Sequence, residues 1–353
     1  MALEGQCRTT AMAIMPHTDV EEALRLVSSL DVPFWPQLPR IGFHEDMYAQ
    51  ASVGFPGVSA DMENEKVVFD SARFYEELTD FAEKMDRDET YELSGDYSTV
   101  YRRFLEADLS GYHAIHGQVT GAVSLGFNVL DEERKPIIYN DEVRALLFDF
   151  IQKKVNVQYR QLRQRNRNAF VWVDEPGLGF VFSGLSGYND MQAKRDYASF
   201  VQGLEGPRGL HLCPNVNLPY LLGLGVDLLS FDGYQMESMP VAYASAVADF
   251  LRDGRRVISW GIVPTESAAL SRETPQSLAE RLAGYWEVVA QRTDVCGRRI
   301  AEQALIAPAR CCVRDMEAEV KACQPGAIEE ESVARAFGIL AEVSGILRDR
   351  YGV

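Results

Sequence analysis

Basic residues are under-represented in this chain of 353 residues, which has 35 lysines and arginines against 52 aspartates and glutamates. The formal net charge of −17 opposes binding to nucleic acid or to an anionic membrane surface, because both are polyanionic. We therefore expect neither of them as a partner, and we expect a small-molecule substrate instead.

Long hydrophobic runs are absent as well, since no apolar stretch reaches the roughly 18 residues that a membrane-spanning helix requires. Residues 1–6 contain neither a basic region nor an apolar stretch of signal-peptide length. Six cysteines in a chain of this length do not suggest a disulfide framework. These absences predict a cytoplasmic protein with free thiols.

The chain does contain short apolar segments that alternate with amphipathic helical segments, eight times over. Near-continuous apolar segments of this kind are typical of buried parallel strands. The predicted strands are 9–15, 32–37, 112–120, 169–175, 209–213, 227–232, 256–263 and 304–309. Eight β-then-α units predict an α/β fold, the (βα)8 TIM barrel.

Helices are predicted from apolar periodicity and from capping residues, beginning with a capping box at 18–21. The predicted helices are 18–29, 141–165, 189–204, 241–251, 277–293 and 329–351. Residues 38–111 interrupt the alternation with a hairpin strand at 65–70 and helices at 71–85 and 98–109. We interpret 38–111 as an insertion that caps the barrel mouth of a single domain, 1–353; a two-domain protein is the alternative.

Polar residues recur at the C-terminal ends of the predicted strands, where the active sites of TIM barrels lie. Buried polar groups need a partner or a function, which makes these residues the candidates for a site. They are His17, Gln37, Gln118, Thr120, Asp174, Glu175, His211, Cys213, Asp232, Cys311 and Cys312.

A zinc site is suggested by His211 and Cys213, because residues two apart on a strand project from the same face. With Cys311 or Cys312 they would make a three-ligand soft-donor site with an open fourth position, as in catalytic zinc centres. The alternative is a structural histidine and cysteines that act as small hydrophobic residues. Asp232 is a further ligand, a partner of the ligand histidine, or a loop cap.

Two adjacent carboxylates, Asp174 and Glu175, end the fourth predicted strand, and Pro176 holds Glu175 in an extended conformation. A carboxylate at a barrel mouth can hold a substrate ammonium group; the alternative is an ion pair with a neighbouring arginine. His17 is a candidate for proton handling or substrate contact.

These residues resemble the catalytic C-terminal barrel of cobalamin-independent methionine synthase and, more distantly, the uroporphyrinogen decarboxylase-like superfamily. The resemblance covers residues 13 to 351, and its most specific elements are the Asp-Glu-Pro and His-x-Cys motifs in that order. The matching segments are MPHT at 15–18, GQVTG at 117–121, VDEP at 173–176, HLC at 211–213 and APARC at 307–311.

The resemblance implies a zinc ion held by His211, Cys213 and a late cysteine, which keeps the thiol of homocysteine as a nucleophilic thiolate. It implies that Asp174 and Glu45 hold the amino group of that substrate. We also expect Gln118 and Glu175, which lie in matching segments, to bind substrate. Attack of the thiolate on a methyl donor would give a thioether.

Three positions depart from the family pattern. The family's serine that contacts the substrate carboxylate has no counterpart in the stretch 13–16. Arg310 stands where the late cysteine is expected, so that Cys311 or Cys312 follows one position later. Asp232 stands in place of the family's zinc-binding glutamate.

Because the resemblance takes up residues 13 to 351, we expect no counterpart in these residues of the family's N-terminal barrel, which helps to bind a folate donor. We therefore expect methylcobalamin, delivered by a corrinoid protein, or a folate as the methyl donor. Two alternatives stay open at this point: a metal-free decarboxylase-like lyase that binds a tetrapyrrole, and a non-catalytic barrel that binds a corrinoid or a thiol.

Overall fold

Seven parallel strands form the main sheet in this computed structural model, which describes residues 3–181, 187–213, 217–311 and 325–353. The strand order is β1-β9-β8-β7-β6-β5-β4. The bounds are β1 Arg8–Thr9, β4 His116–Thr120, β5 Phe170–Asp174, β6 Arg208–Leu212, β7 Leu228–Asp232, β8 Val257–Val263 and β9 Ala304–Pro308. The predicted α/β class is confirmed, and so are the last six predicted strands.

The prediction of a closed eight-stranded barrel is not confirmed, because the second predicted strand, 32–37, is not a regular strand. It makes isolated bridges, from Phe34 to His116 on β4 and from Gln37 to Ile14, and the N–H of Val32 donates to the Thr9 carbonyl at 3.0 Å. Pro33 and Pro36 have no N–H group to donate, so that a continuous ladder cannot form here. We call this interrupted stretch of wall, 32–37, the seam.

Helices follow the strands along the chain, and α6 begins and ends where the apolar periodicity predicts. The helices are α1 Val20–Val27, α2 Met47–Ser52, α3 Ser71–Ala82, α4 Thr99–Glu106, α5 Ala122–Asn128, α6 Asp141–Arg165, α7 Leu178–Val181, α8 Asp190–Gln202, α9 Leu218–Leu222, α10 Val241–Leu251, α11 Ser267–Arg272, α12 Pro275–Arg292, α13 Gly297–Glu302 and α14 Pro325–Tyr351. The N-cap of α1 is Asp19, one residue after the first residue of the predicted capping box. Its side chain accepts a hydrogen bond from the N–H of Glu22 at 2.9 Å.

Within the described residues, no helix combines the length and the apolar character needed to cross a membrane.

The segment 38–111 contains the predicted hairpin and helices. Strands β2 Val58–Asp61 and β3 Lys66–Phe69 pair antiparallel, and α3 and α4 follow them. Helix α2 lies at the end of β4, where the Thr120 hydroxyl donates to the Met47 carbonyl at 3.1 Å. Further along, Phe81 and Tyr91 pack against Phe150 of α6. The segment therefore touches both the carboxyl end of the sheet and the outer layer of helices.

The sheet register arranges side chains in rows across the strands, because residues paired in neighbouring parallel strands share a face. One row contains Trp172, Gly209, Leu228 and Val257 and belongs to a buried apolar cluster. The row one step closer to the carboxyl ends contains the polar residues Asp174, His211, Ser230 and Ser259. An apolar floor thus lies beneath a polar layer at the end of the sheet where a site was predicted.

His116 joins the seam to the sheet. Its fully buried ring stacks on Phe34 of the seam, 5.2 Å between centroids, and on Phe170 of β5, 5.1 Å. Its Nε2 lies 2.9 Å from the Thr10 hydroxyl. Burial lowers the pKa of His116 to about 3.

This depressed pKa predicts that His116 makes the fold acid-sensitive. In the unfolded chain the histidine binds a proton with a pKa of about 6.5, whereas in the folded state it stays neutral down to a pKa of about 3. The contribution of His116 to the free energy of unfolding is therefore complete above pH 6.5, and below that pH it falls by about 1.4 kcal/mol per pH unit. We expect the free-energy difference between wild type and His116→Phe to change by about this amount between pH 6 and pH 5 in urea unfolding. A difference independent of pH would contradict the assignment.

Candidate metal centre

Three donor atoms from two distant chain segments meet at the carboxyl end of the sheet. His211 lies in β6, Cys213 follows its end, and Cys311 follows β9. His211 Nε2 and Cys213 Sγ are 3.0 Å apart, and all three donor atoms lie within 4.8 Å of one another. Ligands of a tetrahedral zinc ion are separated by about 3.5–3.8 Å, so small side-chain adjustments would bring these three to a common ion.

Ser230 orients the histidine. Its hydroxyl oxygen lies 2.9 Å from His211 Nδ1, on the neighbouring strand and in register with it. Because Nδ1 is engaged there, Nε2 is left facing the Cys213 sulfur. A partner on the second ring nitrogen is typical of metal-binding histidines. Sequence reasoning missed Ser230, although it stands two residues before Asp232 and so shares its face of β7.

The cluster favours a negative sulfur beside a positive imidazole. A hydrogen bond from Cys311 and the charge of His211 hold the pKa of Cys213 well below its usual range, against the opposing effect of burial. Burial by itself would lower the pKa of His211, but the Cys213 sulfur outweighs it and raises that pKa to about 8. A thiolate is the form in which cysteine binds a metal.

Asp174 lies beside the cluster with an unsatisfied carboxyl group. It pairs in register with His211, is 2% exposed, and its Oδ1 has no hydrogen-bond partner among the described residues. Burial raises the pKa of Asp174 to about 7. A buried carboxylate without a partner is costly, so this oxygen is the natural acceptor for a cationic or hydrogen-bonding group of a ligand.

Glu175, by contrast, is fully engaged by the protein. Its two oxygens accept from the backbone N–H of Val123 at 3.1 Å and from the N–H and hydroxyl of Ser124 at 2.9 and 2.6 Å. These bonds hold the beginning of α5. A Cβ at Gly121 would lie 2.1 Å from the carboxyl group, so only glycine permits this approach. The contacts give Glu175 a structural task; the predicted substrate contact stays a prediction.

Glu45 is similarly occupied. It is fully buried, and its carboxylate accepts from the N–H of Thr99 at 2.8 Å, at the start of α4, and from the Gln50 side chain at 2.9 Å. The Ser98 hydroxyl adds a bond at 3.2 Å. Glu45 therefore anchors α4 to the segment 43–52, and its assignment to a substrate amino group stays a prediction.

Asp232 lies outside the three-donor cluster, and its carboxylate is paired with Arg310. The Arg310 Nε donates to Asp232 Oδ2 at 3.0 Å, and the N–H of Gln235 donates to Oδ1 at 3.1 Å. Of the three alternatives for Asp232, these contacts match the loop cap. The ion pair with Arg310 was not foreseen.

For the remaining predicted residues, no described contact with the three donors is found. Gln118 donates to the Trp35 carbonyl at 2.9 Å and lines a small internal cavity behind the seam together with Lys154. His17 is buried, and burial lowers its pKa; none of the described contacts joins it to the three donors. Cys312 lies outside the described residues.

No protein-family model matches the chain, and no curated protein matches it. Among solved structures, a B12-independent methionine synthase from Shewanella sp. W3-18-1, in complex with selenomethionine, is similar with a TM-score of 0.43 and 13% sequence identity. The match covers 67% of this chain and 63% of that one. A likeness at this level does not extend to activity.

The two adjacent carboxylates predict opposite outcomes on truncation. At about pH 8, Glu175→Ala strands three buried donors at the start of α5 and lowers the free energy of unfolding by about 2–4 kcal/mol. Asp174→Ala removes a carboxyl group whose Oδ1 has no partner among the described residues, so that it strands no donor there and stability changes by less than about 1 kcal/mol or rises. Urea unfolding measures both, and equal losses would contradict these roles.

Proposed function

We propose that the protein is a zinc-dependent S-methyltransferase that methylates a homocysteine-like thiol. The observation that carries the proposal is the meeting of His211, Cys213 and Cys311 donor atoms within 4.8 Å at the carboxyl end of a parallel sheet. Two sulfurs and one imidazole suit zinc, and three protein ligands leave a fourth position for a thiol. Zinc bound there would lower the pKa of that thiol and hold it as a nucleophile.

In this proposal the surrounding side chains bind and orient the substrate. Ser230 holds His211 in the rotamer that turns Nε2 toward the sulfurs. The unsatisfied oxygen of Asp174 accepts a hydrogen bond from the substrate ammonium group. A positive charge beside this carboxylate lowers its pKa again, which couples substrate binding to ionisation of Asp174.

The same contacts also suit a metal-free cysteine nucleophile. Cys213, His211 and Ser230 form a chain of nucleophile, base and orienting group, as covalent catalysis requires. The nearby sulfur of Cys311 favours the metal, because it supplies a third soft donor that general-base activation of Cys213 by His211 does not require. Alkylation resistance of the zinc-loaded protein separates the two alternatives.

The methyl donor is the less constrained part of the proposal. We propose methylcobalamin, presented by a corrinoid protein, with a folate as the alternative. The seam would stand in the place of a second barrel strand without its continuous ladder, and the segment 38–111 would cap the mouth, within a single domain.

Zinc binding should depend on both cysteines of the cluster. We expect Cys213→Ser and Cys311→Ser to weaken zinc binding beyond the 10–100-fold that loss of a supporting partner costs, and Ser230→Ala to fall within about 10–100-fold. Competition with a chromophoric chelator measures the affinities, and Cys296→Ser, an exposed thiol outside the cluster, is the matched control. Retention of zinc by Cys311→Ser and its loss in Cys312→Ser would assign the third ligand to Cys312.

Methyl transfer tests the activity directly. The zinc-loaded protein, incubated with homocysteine and methylcobalamin or methyltetrahydrofolate, should yield methionine, and Cys213→Ser should yield none. No turnover with either donor at stoichiometric zinc would reject the methionine synthase form of the proposal.

A further inference from the structure

Arg310 is a positively charged side chain at the edge of the three-donor cluster. It immediately precedes Cys311, and its Nε is fixed at 3.0 Å from Asp232 Oδ2. The Asp232 side chain is 3% exposed, whereas that of Arg310 is 47% exposed. The guanidinium is therefore anchored through Nε on a buried carboxylate, while about half of the side chain is exposed to solvent.

The anchor directs Arg310 across the mouth. Leu212 pairs with Phe231, so the next position of β7, Asp232, lies beside Cys213. Asp232 pairs with Gly261 of β8, which in turn pairs with Ala307 of β9. Arg310 therefore reaches from the end of β9 to the end of β7. The residues between them in this row are Gly261 and Ala307, whose side chains are a hydrogen atom and a methyl group.

The guanidinium retains unused donors. Arginine has five N–H donors, and the bond from Nε to Asp232 is the one that the described residues supply. The two terminal nitrogens present an edge that matches a carboxylate bidentately. Asp174, Asp232 and the cysteine sulfurs around the mouth would repel an anion, whereas the exposed part of the Arg310 guanidinium would attract one.

We propose that Arg310 binds the carboxylate of the thiol substrate and so restricts the site to anionic thiols. This inference rests on the proposed function. Arg310 would take over the carboxylate contact for which the stretch 13–16 offers no serine. With Asp174 holding the ammonium group, the two residues select an α-amino-acid thiol.

Three thiols that differ by one group test the proposal. Homocysteine carries both charges, 3-aminopropane-1-thiol lacks the carboxylate, and 4-mercaptobutyrate lacks the amino group. Each is titrated calorimetrically into the zinc-loaded wild type, Arg310→Gln, Arg310→Lys and Arg255→Gln. Arg255 is an exposed arginine before the start of β8, at the opposite end of the sheet, and serves as the control.

We expect Arg310→Gln to weaken homocysteine and 4-mercaptobutyrate by about 10–100-fold, the range for a charge-assisted hydrogen bond, and to leave 3-aminopropane-1-thiol within about twofold. Arg310→Lys should lose less, because it keeps the charge without the fork. Partial misfolding of a variant would affect the apparent binding of all three thiols alike. The ratio of the dissociation constants of two thiols, measured on the same variant, is therefore insensitive to it.

Equal weakening of all three thiols by Arg310→Gln, or no weakening of any, would overturn the role of Arg310 while the proposed function stands. If no thiol binds the zinc-loaded wild type, the proposed function fails and this inference fails with it.

Discussion

Hydrogen bonding of β6 to β5 on one side and to β7 on the other is the constraint on which the site depends. It aligns Asp174, His211 and Ser230 in one row, although they are far apart in the chain. Since successive strand residues face opposite sides, a shift of one residue in any pairing would turn a member of this row away. The register of the sheet therefore fixes the position of the His211 imidazole. Cys213 and Cys311, in the loops after β6 and β9, place their sulfurs next to it.

Most strands of the sheet were predictable from sequence because β5, β7, β8 and β9 are near-continuous apolar runs, as is typical of strands buried on both faces. The seam was not, because its apolar content resembles that of a strand while Pro33 and Pro36 remove ladder donors. Local capping chemistry accounts for the start of α6, where Asn140 is the N-cap, whereas α10 matches its predicted bounds without a side-chain cap.

Within the site, the sequence indicated the candidate donor residues better than it indicated the hydrogen-bond partners of the carboxylates. His211 and Cys213 follow from strand periodicity, and Cys311 from the rule that sites lie at the carboxyl ends of barrel strands. The sequence analysis gave Asp174 and Glu175 the same role, and only tertiary contact shows that the start of α5 uses Glu175 and leaves Asp174 Oδ1 unsatisfied. The pair between Asp232 and Arg310, 78 residues apart, depends on the same three-dimensional proximity.

The prolines of the seam also affect how water reaches the interior. A regular strand in this position would share a full ladder with each neighbour, whereas 32–37 is joined mainly by isolated bridges. Local opening is cheapest where the fewest hydrogen bonds must break. Behind this weak flank lies the small cavity bordered by Trp35, Gln118 and the buried ammonium of Lys154, whose pKa burial lowers to about 7. Local opening of the seam would give water a lateral path to this cavity, separate from the mouth.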